Sequence, residues 1–310
     1  MNILLLLGGF IALLLSGDLL VRGGVSLAGH FRVSKLVIGM TVVSLGTSAP
    51  ELVVSLQSVF SGHSDISIGT VIGSNMSNIG FILGMAVMIL PMTVSRITAR
   101  RDAPVMFLAT VMLFVFVRNG LLDRSEGIVF VILLVGYLVF SIGDSRRIHR
   151  KEPQNQIIPH YVLWKSILLV LAAIIGLRYG AQWLVNGATG IARQIGISEY
   201  AVSLTVVAVG TSLPELATSL VAAIKKENDI SIGNIIGSNL FNIWGILGIT
   251  ASFRPININA RVSHIDIYWL LAISALLLLF MLLKKRIKIN RVEGAVLFTG
   301  YLLYLVFVFV

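Results

Sequence analysis

Long apolar runs return along the chain, each about as long as a bilayer crossing, with short polar or basic stretches between them. A membrane-spanning helix needs about 20 mostly apolar residues. On that measure the pattern predicts ten spans, over roughly 3–27, 34–61, 66–91, 103–119, 125–143, 163–192, 198–224, 230–253, 264–283 and 291–310. One long polar stretch, 144–162, separates the first five from the last five. The chain therefore divides into a first half, 1–143, a linker, 144–162, and a second half, 163–310.

Composition agrees with this class. Of 310 residues, 56% are hydrophobic and 12% charged, against about 25% charged in soluble domains. The absence of cysteine excludes disulfides, iron–sulfur clusters and thiolate metal sites. A net charge of +10 could point to nucleic acid, but in a membrane chain basic residues mark cytoplasmic loops and contacts with anionic lipid. With the N-terminus outside, the expected cytoplasmic loops hold 17 Lys and Arg and the outer loops hold 5. The positive-inside rule then predicts both termini extracellular, in a multi-pass protein of the plasma membrane. The bilayer is the expected partner; no nucleic acid and no obligate protein partner are expected.

The sequence also repeats itself. Residues 65–75 (DISIGTVIGSN) align without gaps on 229–239 (DISIGNIIGSN), with 9 of 11 identical. Ahead of them, Gly46-Thr47-Ser48-Ala49-Pro50-Glu51 matches Gly210-Thr211-Ser212-Leu213-Pro214-Glu215 at the same offset. Five spans per half is an odd number, so the second half must enter the membrane from the opposite side. The expected fold is an all-α membrane protein of ten transmembrane helices, built as two inverted five-helix repeats. Such repeats place their site near the midplane, between the halves, on discontinuous helices.

Glu51 and Glu215 fall inside apolar runs, and a carboxylate at that depth is costly and functional by default. Pro50 lacks an N–H and its ring clashes with the carbonyl four residues back, at Gly46. A break there frees carbonyls around Ser44 to Thr47, which need an ion, water or a cavity to satisfy them. Ser48 and Thr47 lie three and four residues before Glu51, on its helical face. Ala208, Thr211, Ser212 and Glu215 repeat the arrangement. The next span of each half adds Ser74 and Asn78, then Ser238 and Asn242, as i, i+4 pairs. Each pair follows a Gly-xxx-Gly unit, Gly69/Gly73 and Gly233/Gly237, which is expected to let helices pack closely. The donors are all hard oxygens, which suit Ca²⁺, Mg²⁺ or Na⁺ and not Zn²⁺ or Cu⁺. Ions that cannot share one site exchange through it.

The doubled GTSxPE stretch, each copy followed by SIGxxIGSN, resembles the α-1 and α-2 repeats of the cation/Ca²⁺ exchanger superfamily, here 39–84 and 203–248, and is most similar to prokaryotic Na⁺/Ca²⁺ exchangers. The resemblance implies four ion sites in a diamond. Its Ca²⁺ site falls on Glu51 and Glu215 with the carbonyls of Thr47 and Thr211. One flanking Na⁺ site falls on Ser48, Ser238 and the carbonyl of Ser44, the other on Ser212, Ser74 and the carbonyl of Ala208. Asn78 and Asn242 take the central polar positions. It also implies alternating access, by sliding of the first and sixth spans across the other eight. Some relatives, K⁺-dependent exchangers among them, carry Asp where this chain has Asn242, so K⁺ is not expected to be carried. The expected function is Na⁺-driven Ca²⁺ extrusion with no cofactor beyond the transported ions. H⁺/Ca²⁺ exchange stands second and a cation channel third.

Other polar residues have plainer readings. Asp18 and Arg22 are spaced for an i, i+4 ion pair. Asp65 and Asp229 read as helix N-caps. Asp102 and Asp266 fall at span ends, and the five histidines lack zinc spacing. Ser48 has neither a base beside it nor a GxSxG elbow, so an enzyme is not expected.

Overall fold

The computed structural model describes residues 1–151, 157–194, 210–283 and 288–309. Among them, nine helices are long and apolar enough to cross a membrane. These are α1 (Asn2–Phe31), α2 (Lys35–Phe60), α3 (Ser64–Ile89), α4 (Thr98–Asn119), α5 (Arg124–Ile148), α6 (Leu163–Gln194), α8 (Asn228–Phe253), α9 (Val262–Leu282) and α10 (Arg291–Val308). The seventh in order, α7, is a shorter apolar helix, Leu213–Ile224; the first part of the span expected over 198–224 lies outside the described residues. Four two-residue strands join helix ends: β1 (Met92–Thr93), β2 (Leu121–Leu122), β3 (Ile256–Asn257) and β4 (Lys288–Ile289).

Strand pairing establishes the inversion without reference to any relative. β1, after α3, pairs antiparallel with β4, after α9. β2, after α4, pairs with β3, after α8. Had the second half repeated the first in the same orientation, the turn after α3 would share a side with the turn after α8. It shares a side instead with the turn one crossing later.

Repetition extends to local geometry. Ser77–Leu83 in α3 and Phe241–Leu247 in α8 are both π-helical, 164 residues apart. So are Thr98–Asp102 and Val262–Asp266, which open α4 and α9. Close glycine contacts join the halves. A Cβ on Gly84 of α3 would lie 3.0 Å from the Gly294 carbonyl oxygen of α10, and one on Gly248 of α8 would lie 3.1 Å from that of Gly127 on α5. α1 and α6 meet in the same way, at Gly9 and Gly187. Small residues at a crossing allow this backbone approach, which drives helix association where both helices already sit in hydrocarbon.

Two expectations need correction. Asp65 and Asp229 stand in the first turns of α3 and α8 and do not cap them; their charge favours the positive helix start instead. The Gly-xxx-Gly units also differ. Gly233 and Gly237 let α8 approach α2 closely, with a Cβ on Gly237 reaching 2.5 Å from the Met40 Cα. Gly69 and Gly73 have nothing within 4 Å among the described residues.

Candidate ion site

Four helices converge on the repeated motifs. Within α2, π-helical Gly39–Val43 leads into α-helical Ser44–Phe60, which runs through Pro50. The expected break at the first motif is therefore a change of helical winding and not an unwound gap. Proline still leaves the Gly46 carbonyl without its helical donor, and Thr47 Oγ1 approaches the Ser44 carbonyl at 3.2 Å. At the second motif Thr211 and Ser212 form a turn, and α7 begins at Leu213 with Pro214 in its first turn. Proline is tolerated there because first-turn N–H groups have no intrahelical acceptor.

Most of the expected ligands meet in one buried cluster. Ser44, Thr47, Ser48, Glu51, Ser74, Asn78, Ser212, Glu215, Ser238 and Asn242 are each no more than 5% exposed. Hydrogen bonds from these residues cross between the halves. Ser48 Oγ donates to Glu215 Oε1 at 2.9 Å. Asn242 Nδ2 donates to Ser74 Oγ at 3.1 Å. Thr47 Oγ1 donates to Asn234 Oδ1 at 3.4 Å. Thr211, by contrast, is exposed, and Ala208 lies outside the described residues.

Several oxygens in the cluster lack a hydrogen-bond partner among the described residues: both Glu51 carboxylate oxygens, Glu215 Oε2, Ser238 Oγ and the side-chain carbonyl oxygen of Asn242. A bare carboxylate in an apolar interior is costly unless an opposite charge sits beside it. Among the described residues no three His, Cys, Asp or Glu gather, so a cation here would be held by two carboxylates together with hydroxyls, amides and carbonyls. That donor set suits Ca²⁺ or Na⁺.

Two cavities of about 240 Å³ each adjoin the motifs, and both are lined by Pro50, Pro214 and Arg178. One reaches Gly46 and Thr47 beside α6; the other reaches Gly210 and Thr211 beside Gln182. The corresponding α1–α7 crossing is closed: a Cβ on Gly17 would lie 3.2 Å from the Ala217 carbonyl.

Sequence reasoning overlooked Asn75 and Asn234. Asn75 Oδ1 accepts from Asn242 Nδ2 at 2.9 Å, and Asn234 Nδ2 donates to Ser219 Oγ at 3.0 Å. Asn75 was readable in the GSN end of the repeat. Asn234 stands where the first copy has Thr70, so repetition gave no sign of it. Asp102 and Asp266 also carry more than a span end requires. Asp102 is fully buried, accepts from Tyr137 Oη at 2.7 Å and is bound by Arg101. Asp266 accepts from Tyr304 Oη at 3.4 Å.

Comparison with known proteins agrees with this geometry. Residues 1–143 and 165–310 match the family described as sodium/calcium exchanger protein. The chain is 31% identical to the sodium/calcium exchanger MaX1 of Methanosarcina acetivorans, over 99% of this chain and 98% of that one. It is 36% identical to the inner membrane protein YrbG of Escherichia coli, over 97% and 94% of the two chains. The solved structure of the sodium/calcium exchanger from Methanococcus jannaschii superposes with a TM-score of 0.84 at 33% identity, covering 99% of both chains. The inverted repeats, the paired motifs and these matches together make the chain a multi-pass membrane protein of the sodium/calcium exchanger family.

Proposed function

We propose that the chain is a secondary antiporter that exchanges Na⁺ for Ca²⁺ by alternating access and exports Ca²⁺ on the inward Na⁺ gradient. The observation that carries this reading is the pair of buried glutamates, one from each inverted half, with Glu51 free of protein hydrogen bonds among the described residues and Glu215 held by Ser48 of the other half. Two carboxylates balance one Ca²⁺ or two Na⁺, so neither load can bind fully while the other is present. The relatives named above as sodium/calcium exchangers support the same substrates.

In this reading Glu51 and Glu215, with the carbonyls of Thr47 and Thr211, hold Ca²⁺. Ser48, Ser238 and the Ser44 carbonyl hold one Na⁺; Ser212, Ser74 and the Ala208 carbonyl hold another. Asn78 and Asn242 flank the centre. The halves are 1–143 and 163–310, joined by a cytoplasmic linker, 144–162. Both termini are extracellular, in the plasma membrane, as the loop charges indicate. That orientation puts the cavities beside Arg178 on the outer half of the site and the closed α1–α7 crossing on the inner half. The conformation is then open outward.

Radiocalcium uptake into proteoliposomes under imposed Na⁺ or H⁺ gradients tests the proposal. Uptake driven by Na⁺ is expected. Buried carboxylates also bind protons, so uptake driven by H⁺ alone would transfer the chain to H⁺/Ca²⁺ exchange. No uptake with either gradient would refute the antiporter reading.

A further inference from the structure

Each half carries the same five-residue frame: Ser74-Asn75-Met76-Ser77-Asn78 and Ser238-Asn239-Leu240-Phe241-Asn242. Serine and both asparagines recur at equivalent positions, yet of the two mirror-related sets of hydrogen bonds they could form between the halves, the structure forms one. Asn242 Nδ2 donates to Asn75 Oδ1 at 2.9 Å and to Ser74 Oγ at 3.1 Å. Asn75 Nδ2 in turn reaches the Asn239 backbone carbonyl at 3.4 Å. The mirror set would join Asn78 to Asn239 and Ser238, and it is not formed. Asn239 Nδ2 turns back to the Ile235 carbonyl of its own helix at 2.7 Å. Both polar atoms of Asn78 and the Ser238 hydroxyl find no partner among the described residues. All six side chains are no more than 5% exposed.

The difference has a chemical consequence. An amide offers a cation either a carbonyl oxygen, which attracts it, or an NH₂ group, which repels it. With its NH₂ engaged twice, Asn242 is fixed with Oδ1 unpartnered. Asn78 is not fixed at either end. Because the halves are inverted copies, the side-chain arrangements of α3 and α8 can be exchanged between them when the site faces the other way, while these helices keep their places. The same exchange would move the hydrogen bonds to the other half.

Resting on the antiporter reading above, we propose that Asn75 and Asn239 are positioning residues that act alternately. Asn75 orients Asn242 in the state described here, and Asn239 orients Asn78 in the opposite-facing state. Neither is needed as an ion ligand. Each decides which of the two central amides presents its oxygen, and therefore from which face the site binds cations well.

The test compares Ca²⁺ uptake in right-side-out and everted membrane vesicles. Asn75→Ala should raise the KM for Ca²⁺ on one face by about three- to tenfold, the worth of one neutral hydrogen bond, and leave the other face nearly unchanged. Asn239→Ala should do the reverse. In an Asn242→Ala background, Asn75→Ala should add nothing. The isosteric Asn75→Asp keeps the acceptor for Asn242 and should avoid the rise, which also covers the case in which the alanine variant does not fold. Equal effects on both faces, no effect on either, or the same rise in Asn75→Asp would overturn the inference while the antiporter reading stands. A parent chain that carries no Ca²⁺ in either vesicle overturns both.

Discussion

Ser48 and Glu215 stand 167 positions apart in the sequence and share a hydrogen bond of 2.9 Å across the two halves of the molecule. Ser48 is fully buried and Glu215 is 1% exposed. The bond ties the first motif of one repeat to the carboxylate of the other, so the site exists only where the halves meet. A hydrogen bond to a charged group is worth about 1.5–3 kcal/mol. Ser48→Ala is therefore expected to weaken apparent Na⁺ affinity by about 10- to 100-fold in Na⁺-dependent Ca²⁺ uptake. An unchanged Na⁺ dependence would remove Ser48 from the ion site.

Replacing a carboxylate is expected to do more. Glu51→Gln and Glu215→Gln each leave one negative charge to hold a divalent ion at a buried position. Removing one partner of a buried charge pair costs about 3–5 kcal/mol, so Ca²⁺ transport should fall at least about a hundredfold in protein that still elutes as a single species. Full activity in both variants would show that the ions cross elsewhere.

How far the sequence reached depends on which residues are considered. The span pattern located the nine long helices of the described residues to within a few residues at most ends, because apolar length is dictated by the bilayer alone. The inversion was also readable, since an odd span count and the positive-inside rule are one-dimensional facts, and the β1–β4 and β2–β3 pairs carry the same parity. What could not be read was the difference between two nearly identical copies. Pro50 and Pro214 occupy equivalent positions, yet one lies within a continuous helix and the other opens a new one. Gly237 is packed against Met40 while Gly73 is open among the described residues. A repeat predicts symmetry, but a transporter held in one state breaks it. Asp102 escaped for another reason. A carboxylate at a span end reads as solvated until Tyr137, from the following helix, is seen to cover it.

The glycine contrast makes its own prediction. A methyl group at Gly237 would lie 2.5 Å from Cα and 2.7 Å from the carbonyl oxygen of Met40, and backbone cannot yield as a side chain can. Overpacking of this kind costs about 1–3 kcal/mol. Gly237→Ala should lower the detergent melting temperature and impair transport, whereas Gly73→Ala should change neither greatly. Thermal unfolding followed by size-exclusion chromatography separates the two outcomes.

Asn242 sets an expectation about a third ion. Its amide is buried, with the NH₂ engaged by Ser74 and Asn75, so no third carboxylate faces the two glutamates at that position. Ca²⁺ uptake driven by Na⁺ should proceed at the same rate with K⁺ absent or present. A requirement for K⁺ would contradict the assignment of Asn242, and Asn242→Asp would then be the variant in which to look for a change in that requirement.

The two crossings that flank the site differ in charge, and this bears on which state the protein favours. Asp18 of α1 is bonded to Arg22 at 2.7 Å and to Lys225, just after α7. At the equivalent positions, 164 residues away in each case, α6 carries Gln182 and the end of α2 is followed by Ser61. An ion pair therefore fastens one crossing, and an amide and a hydroxyl occupy the other. The pair is partly exposed, with side-chain exposures of 24% and 32%, so it contributes about 0.2–1 kcal/mol, up to about a fivefold bias between states. Because the parent chain has no cysteine, Gln182→Cys supplies a single thiol in the cavity beside Arg178. Asp18→Asn should slow its labelling by a membrane-impermeant maleimide by up to about fivefold. Exchanging the charges, Asp18→Lys with Lys225→Asp, should restore much of the rate, and high salt should narrow the difference between parent and variant. Identical labelling in parent and Asp18→Asn protein would mean that the ion pair does not hold the crossing closed.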